Sequence, residues 1–513
     1  MALTFNTCVY TSAANFNLLK TKSCGSKIFA IFSRNLRGSR LGREISSEEI
    51  KYQRLLRALK KEEKNVETEV KLSAESEKRL QIEKNSSSRE VLIEEKQFKS
   101  LEDRVTPLKH LPYVKQLEKK HQKSMGFLRL FGQKLENLKV PITLGSDKLP
   151  CPVDFVIPSP LTEEYRNKDE FSVGAGYNND KTIGFFTAGN ENVMCEGPEN
   201  LLITKGIHKS FVKDVQNFIQ KSPFPAFSSQ SGYGFWKSIV VRSNEQGDLM
   251  GIVIVHPQHV QKEEIQEQKE KLQEHFKSIT KAYKLKSLYF QECPHSNCTH
   301  EQAPFELLFG DTYIMEELNG LDMQISPDSF LLSNTKAAES MYKALLKLCK
   351  VKKSTTFLDI YSGIGPLSMT FSPYVKECIG VEPCFQANQD AIVNAHLNAK
   401  SNVDFIRAQP EVVLSDILKE NFFEDLVAVL NPSKVGISKN LITVLRECRH
   451  LKKIIYITTK PSSSMDNFVG LCQPCGPLRH LGKAFLPILA LPVDLFPHTQ
   501  HYGLVVMFQR LSY

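Results

Sequence analysis

Long apolar runs are missing from this 513-residue chain. None approaches the ~20 residues that a membrane-crossing helix requires, which excludes a helical membrane protein. A disulfide framework is missing as well: twelve cysteines are scattered over the whole length. No secretory signal precedes them, so a reduced, intracellular protein is expected. Compositional extremes are also lacking. With 41% hydrophobic and 24% charged residues, the chain reads as globular rather than fibrous or disordered. Its length suits two or three domains plus tails. The net charge of +9 is a modest surplus that fits a polyanionic partner such as RNA and equally a basic enzyme.

Acids are absent from residues 1–43, where Lys20, Lys22, Lys27, Arg34, Arg37, Arg40 and Arg43 supply seven positive charges among Ser, Thr and Asn. A basic, hydroxyl-rich leader of this kind is drawn across a membrane that is negative inside, the property of a mitochondrial transit peptide. Delivery to the mitochondrial matrix is therefore expected. Residues 44–104 are dense in Glu, Lys, Arg and Ser and read as a charged linker, helical or disordered. Ordered sequence resumes near Val105, and an apolar-periodic helix using Leu117, Met125, Leu128 and Leu130 follows.

Residues 105–325 are expected to hold this helix and a small α+β module. Ser238–Arg242 and Gly251–Val255 flank Asn244-Glu245-Gln246-Gly247-Asp248 and read as a hairpin. Ser287–Phe290 reads as a further strand, and 261–276 as a charged helix. Cys293, His295, Cys298 and His300 fall within eight residues. That spacing is too cramped for a zinc site, which takes ligands from two separated elements, so a polar loop without metal is expected. Cys472 and Cys475 form one CxxC without a second pair.

In residues 326–513 strand-like runs alternate with helical stretches: Phe357–Tyr361, Cys378–Glu382, Val403–Ile406, Val427–Leu430, Ile454–Thr458 and Leu504–Phe508. This alternation predicts a parallel α/β sheet with ligands at the carboxyl ends of its strands. The first run leads into Tyr361-Ser362-Gly363-Ile364-Gly365-Pro366. Seventeen residues beyond Gly365, Glu382 closes the next strand. Glycines let backbone approach a ligand closely, and an acid in that place accepts both ribose hydroxyls of a nucleoside cofactor. The loop lacks the third glycine of a pyrophosphate cradle, which favours S-adenosylmethionine (AdoMet) over NAD.

Asp359–Met369 is similar to the AdoMet motif of the RNA uracil-5-methyltransferases. Ile325-Ser326-Pro327-Asp328-Ser329-Phe330, with Asn334, Thr335 and Glu339, resembles the segment that precedes that family's catalytic domain. Asn431-Pro432-Ser433-Lys434-Val435-Gly436 resembles its Asp-Pro-Pro-Arg-x-Gly loop, and Val493–Thr499 with His501 its C-terminal signature. Tyr165–Lys168 and Phe171–Val173 match its central motif. The resemblance spans about 105–513. It implies an α/β class I (Rossmann-like) AdoMet methyltransferase domain behind a smaller α+β RNA-binding domain. It also implies AdoMet-dependent formation of ribothymidine in the T loop of tRNA, with ribosomal RNA as a second candidate; a monomer is expected.

The family chemistry needs a cysteine thiolate to add to uracil C6, so that C5 becomes nucleophilic enough to take the methyl group. A glutamate then removes the C5 proton. Thiolate suits this because it is soft, nucleophilic near neutral pH and a good leaving group. The chain departs at both places. The nucleophile motif reads Tyr456-Ile457-Thr458-Thr459-Lys460-Pro461, with Thr459 at the cysteine position, and Gly503 stands at the glutamate position. Among the cofactor positions that the resemblance implies, Tyr361, Gly363, Gly365 and Glu382 match. Leu332 stands for a glutamine, Asn431 for an aspartate, and Pro366 occupies a variable contact. AdoMet binding is expected to be weakened, and a catalytically silent tRNA-binding or folding protein is the alternative. Arg166, Lys168 and Lys434 are the candidate phosphate contacts.

Overall fold

The computed structural model describes residues 100–187, 194–258, 260–420, 423–432, 435–474 and 482–510. The leader 1–43 and all but the last five residues of the charged stretch 44–104 lie outside the described residues. In chain order the elements are α1 (Leu101–Val105), α2 (Tyr113–Asn137), β1 (Lys168–Ala175), β2 (Lys181–Phe186), β3 (Cys195–Glu196), α3 (Gly206–Lys221), β4 (Trp236–Ser243), β5 (Leu249–Val255), α4 (Lys262–Tyr283), β6 (Leu285–Glu292) and β7 (Phe305–Gly310). They continue with β8 (Ile314–Leu318), β9 (Leu321–Ile325), α5 (Thr335–Cys349), β10 (Thr355–Ile360), α6 (Pro366–Phe371), β11 (Glu377–Glu382), α7 (Phe385–Leu397) and β12 (Val403–Arg407). The last are α8 (Pro410–Glu420), β13 (Asp425–Leu430), α9 (Lys439–Glu447), β14 (Leu451–Thr458), α10 (Pro461–Cys472), β15 (Phe485–Val493) and β16 (Gly503–Arg510).

Two seven-stranded sheets carry the fold. The first runs β3-β2-β1-β4-β5-β6-β7. The expected hairpin is β4–β5, and α4 is the crossover that makes β5 and β6 parallel. Helices α3 and α4 cover one face through Phe211, Val215, Leu272 and Phe276.

The second sheet runs β12-β11-β10-β13-β14-β16-β15. Its first five strands are parallel, as the alternation predicts. The expectation of an all-parallel sheet fails at its end. The run Leu504–Phe508 is antiparallel to β14, and β15, which the sequence reading missed, pairs beside it. Two proline residues, Pro487 and Pro492, had hidden β15, and Pro is tolerated there because it is an edge strand. Both faces of the sheet are buried, since adjacent residues of a strand point to opposite sides. Leu358, Ile360, Ala428 and Leu430 face α2, α8, α9 and α10. Phe357, Val427 and Val429 face α5 and α6.

Helix α2 is grouped with the central module by chain order, yet its apolar half, Leu128, Phe131 and Leu135, is buried in the cluster on the second sheet. The expected phase is also corrected: Leu130 is exposed, and Gln116, Lys120 and Ser124 are buried on the docking face instead. Gln116 and Lys120 are buried because the C-terminal loop offers partners for them, while the Ser124 hydroxyl donates to the His121 carbonyl within the helix at 2.7 Å.

Candidate active site

The chain leaves β10 through a strained turn. Tyr361 adopts φ +63°, a left-handed conformation unusual for a residue with a Cβ. It is held there because its N–H and that of Ser362 both donate to the Val381 carbonyl, at 2.8 and 3.2 Å. The Tyr361 hydroxyl donates to Glu411 Oε1 at 3.3 Å. Gly365 has φ +85°, and a Cβ there would stand 2.4 Å from Phe405 Cζ, so only glycine fits. Pro366 then starts α6, where its missing N–H is harmless.

Beneath the loop, Asp359 is fully buried and accepts from the Ser368 N–H (3.1 Å) and hydroxyl (2.8 Å). Burial pushes its carboxyl up to about 6, against the pull of those two hydrogen bonds.

Glu382 ends β11 with each carboxylate oxygen anchored once, Oε2 by the Gly363 N–H at 2.9 Å and Oε1 by the Cys384 N–H at 2.8 Å. A carboxylate has about four lone-pair sites, so two remain for a pair of vicinal hydroxyls. Burial raises its pKa against those same two bonds. Beside it a cleft of about 210 Å³ opens between Thr299–Glu301 and Pro383–Gln386, with Asp328 at its edge. An anchored carboxylate, a glycine cradle and an adjoining cleft with an aromatic wall at Phe385 fit a nucleoside cofactor.

The segment before α5 is shaped by Asp390, which accepts from Gln324 Nε2 (3.0 Å), the Ser326 N–H (2.9 Å) and hydroxyl (2.7 Å), and the Ser329 hydroxyl (2.5 Å). This fold leaves Phe330 61% exposed, with its carbonyl 3.6 Å from where a Cβ on Gly363 would lie. Leu332 is instead buried in the core, its carbonyl accepting from Asn167 Nδ2 at 2.8 Å. Asn431 follows β13, tied to β10 by its N–H on the Ile360 carbonyl at 3.1 Å.

The two positions assigned to nucleophile and base come together. Thr458 of β14 pairs with Leu504 of β16. Thr459 and Gly503 are therefore the next residues on the two antiparallel strands, at the end of the sheet where β10, β11 and β13 also open. Thr459 is half-buried. Gly503 is buried, and a Cβ there would lie 2.7 Å from Leu495 Cδ1.

The loop joining β15 to β16 is braced by α2. Lys120 Nζ donates to Asp494 Oδ1 at 2.5 Å and to the Phe496 carbonyl at 2.8 Å. Gln116 Oε1 accepts from the His498 N–H at 2.9 Å.

With this geometry in place, comparison with known proteins is decisive. The sequence profile of the tRNA (uracil-5-)-methyltransferases matches residues 269–510. The chain is 38% identical over 418 residues to the tRNA (uracil-5-)-methyltransferase homolog B of Danio rerio, covering 80% of this chain and 86% of that one. It is 36% identical over 422 residues to the human homolog B, with 80% and 84% covered. The chain belongs to the tRNA (uracil-5-)-methyltransferase family. The crystal structure of Pyrococcus abyssi tRNA (uracil-54, C5)-methyltransferase with S-adenosyl-L-homocysteine shares the fold, with a TM-score of 0.54 at 18% identity over 78% of this chain and 84% of that one.

For this family member the remaining candidates divide. Arg166 is not a free cation: Nε donates to Asp169 Oδ1 at 2.5 Å and Nη2 to the Lys168 carbonyl at 3.0 Å. Asp169 also holds the buried His208 ring at 2.8 Å. Lys168 is half-buried in a second cleft on the first sheet. The positive charge of Arg242, with burial, pushes its ammonium down to about 8. Lys434 lies outside the described residues.

Cys472, at the end of the helix that follows Thr459, is fully buried and its pKa is driven up by desolvation, so it does not offer a thiolate in place of the missing cysteine. Cys475 lies outside the described residues. No cluster of His, Cys, Asp and Glu able to hold a metal occurs among the described residues, and none of their helices is long and apolar enough to cross a membrane. The polar loop expected around Cys293 differs from expectation in one respect: Cys293 and Cys298 are joined as a disulfide.

Sequence reading placed Phe330 in a family-like segment without marking it as exposed beside the glycine turn, and missed Asp390 and the α2 brace. Asp390 and Lys120 sit in ordinary helical positions, and only their distant partners mark them out.

Proposed function

We propose that this chain is a mitochondrial member of the family that binds AdoMet and the T arm of tRNA at the uracil-5 site, and that its own residues hold the uridine rather than methylate it. One observation supports this reading: Thr459 and Gly503, which stand at the family's thiolate and base positions, are neighbouring residues at the same end of β14 and β16, on the edge of the sheet that also carries the Tyr361–Gly365 turn and Glu382. AdoMet, when bound, supplies an electrophilic methyl group. On that reading Glu382 takes the ribose hydroxyls and the Tyr361–Gly365 turn lets the cofactor approach the backbone. Exposed Phe330 offers a stacking face to a base, and Lys168 with Lys434 meets phosphate. A threonine hydroxyl, far less acidic than a thiol and with no hydrogen-bonded base among the described residues, can bond to the pyrimidine but does not saturate its ring. Leu332 removes one polar contact that the family glutamine supplies. A missing buried hydrogen bond of about 1–3 kcal/mol corresponds to AdoMet binding weakened about 5- to 150-fold.

The retained Tyr361, Glu382 and Gly365 favour a second reading, an active tRNA (uracil-5-)-methyltransferase. Incubation of the purified protein with unmodified mitochondrial tRNA and methyl-labelled AdoMet separates the two. No ribothymidine is expected from the native chain, and its appearance would falsify the first reading. A gel shift across a salt series tests RNA holding on its own: affinity should fall steeply with salt, and a flat response rejects phosphate-driven contact. Targeting is checked by fusing residues 1–43 to a fluorescent reporter, whose cytosolic retention would reject the mitochondrial assignment.

A further inference from the structure

The Cys293–Cys298 pair lies outside the site described above but within reach of it. Cys293 follows β6, is 1% exposed, and is fixed by its N–H on the Val255 carbonyl at 2.9 Å. Cys298 is half-buried and opens toward the surface. The Cα atoms are 5.7 Å apart, in the middle of the range a disulfide adopts. The two sulfurs therefore differ in access. They differ in electrostatics too: Lys237 Nζ, from β4, stands 3.2 Å from Cys293 Sγ and also donates to the carbonyls of Cys293 and His295. Thiol–disulfide exchange is fastest when the exposed sulfur is attacked and the other leaves as a stabilised thiolate. This pair is arranged in that sense, with Cys298 open to attack and Cys293 beside an ammonium.

The loop that the bond closes runs straight into Thr299, His300 and Glu301, which form one wall of the cleft beside Glu382. That wall is tied to the cofactor side by a short series of contacts. The His300 N–H donates to Asp328 Oδ2 at 3.1 Å, and Cys384 Sγ lies 3.8 Å from the same oxygen. Glu301 pairs with Arg407, whose guanidinium sits 4.8 Å over the Phe385 ring. On the other side Gln291 Nε2 donates to the Cys298 carbonyl at 3.2 Å and to the Ala303 carbonyl at 2.8 Å, holding the loop to β6. Asp328 borders both this cleft and the one on the first sheet that Lys168, Lys237, Cys293 and Cys298 line.

We propose that Cys293 and Cys298 are a reversible redox site, opened by a dithiol at Cys298, whose state sets the position of the Thr299–Glu301 wall. A thiolate of the dithiol attacks Cys298 Sγ; the Cys293–Cys298 bond breaks and its electron pair leaves on Cys293 Sγ, beside Lys237. The dithiol's second thiolate then attacks the mixed disulfide and releases Cys298. Two electrons pass to the protein, both cysteines take up protons from solvent, and the dithiol ends as a disulfide. The effect on AdoMet rests on the function proposed above; the movement of the wall does not.

The test uses the full chain. Protein equilibrated with oxidised glutathione is alkylated with iodoacetamide, reduced with dithiothreitol, then alkylated with N-ethylmaleimide and mapped by mass spectrometry. The second label is expected on Cys293 and Cys298. On reduction, amide exchange in 299–301 and 384–386 is expected to rise about tenfold, with the AdoMet dissociation constant rising in parallel. Lys237→Met is expected to slow reduction about three- to tenfold through a less stabilised leaving thiolate, while Lys237→Arg keeps the native rate. Iodoacetamide on both cysteines of the oxidised protein overturns the proposal. So does exchange that is identical in the two states, or a native reduction rate in Lys237→Met. If neither state binds AdoMet while exchange still changes, the cofactor reading fails and the redox site stands.

Discussion

Putting glutamate back at position 503 is the sharpest perturbation of this site, and the structure says what it meets. Gly503 lies in ordinary extended backbone, so the backbone itself admits a side chain. Space does not: the new Cβ would lie 2.7 Å from Leu495 Cδ1 and 3.2 Å from its Cγ, and Leu495 is 1% exposed. Adding a side chain to a filled core costs about 1–3 kcal/mol, so Gly503→Glu should lower the urea midpoint measurably. Leu495→Ala alone removes buried methyl groups at about 2–5 kcal/mol. In the double variant the truncated side chain no longer collides with residue 503, so its loss of stability should fall short of the sum by about 1–2 kcal/mol, within the coupling seen for residues in contact. Urea unfolding of the four proteins measures the cycle. Additivity to within about 0.5 kcal/mol would show that Leu495 does not occupy the vacated place. In a Thr459→Cys background, the glutamate and the relaxed Leu495 should together yield ribothymidine on unmodified tRNA, and Thr459→Cys alone far less. A product from Thr459→Cys equal to that of the combined variant would mean that a base other than residue 503 serves.

Three further outcomes are expected. Lys120→Met strips Asp494 of its buried partner and should destabilise by about 3–5 kcal/mol, with much of the loss recovered in Lys120→Met/Asp494→Leu; chemical denaturation of both decides it, and equal loss in the two would reject the pairing argument. Gly365→Ala combines φ +85° with a 2.4 Å approach to Phe405 Cζ and should cost about 1–3 kcal/mol for the backbone alone, with AdoMet binding lost in calorimetry; native binding would show that the turn is not the cradle. Asp359, held protonated up to about 6 in the folded chain against an ordinary value of 3.8, binds more protons folded than unfolded between those values, so its contribution to stability declines as pH rises through that window. The shift corresponds to about 3 kcal/mol as an order of magnitude; urea midpoints of Asp359→Asn should lose that decline between pH 4 and 7, and an unchanged pH profile would reject the assignment.

The parallel strands were legible because a buried strand of an α/β sheet is continuously apolar, as Val427–Leu430 and Ile454–Ile457 are. The turn after β10 was legible because its glycines answer a local need, seen in the φ of +85° at Gly365. Glu382 could be placed by its distance from that turn, and Thr459 and Gly503 by the motifs around them. The direction of the last strand, the proline-bearing edge strand β15 and the phase of α2 were not legible. Each depends on what packs against it: Lys120 looks like a surface lysine until Asp494 is found beside it, and Arg166 looks like a free cation until Asp169 is. The pairing of Cys293 with Cys298 likewise follows from how β6 and its loop fold back beneath Lys237.

By itself the amino-acid order determined the chemistry available: a nucleoside-type acid and glycine turn, and a threonine and a glycine where a thiol and a carboxylate would be needed. Only the tertiary structure decided that Thr459 and Gly503 stand side by side, that Leu495 fills the space the carboxylate would use, and that helix α2 braces the loop between β15 and β16, more than 350 residues further along. Local pattern reports what one residue's neighbours in sequence demand of it. Contacts between residues hundreds of positions apart are settled by burial and hydrogen bonding in the assembled fold, and leave no periodic trace in the chain.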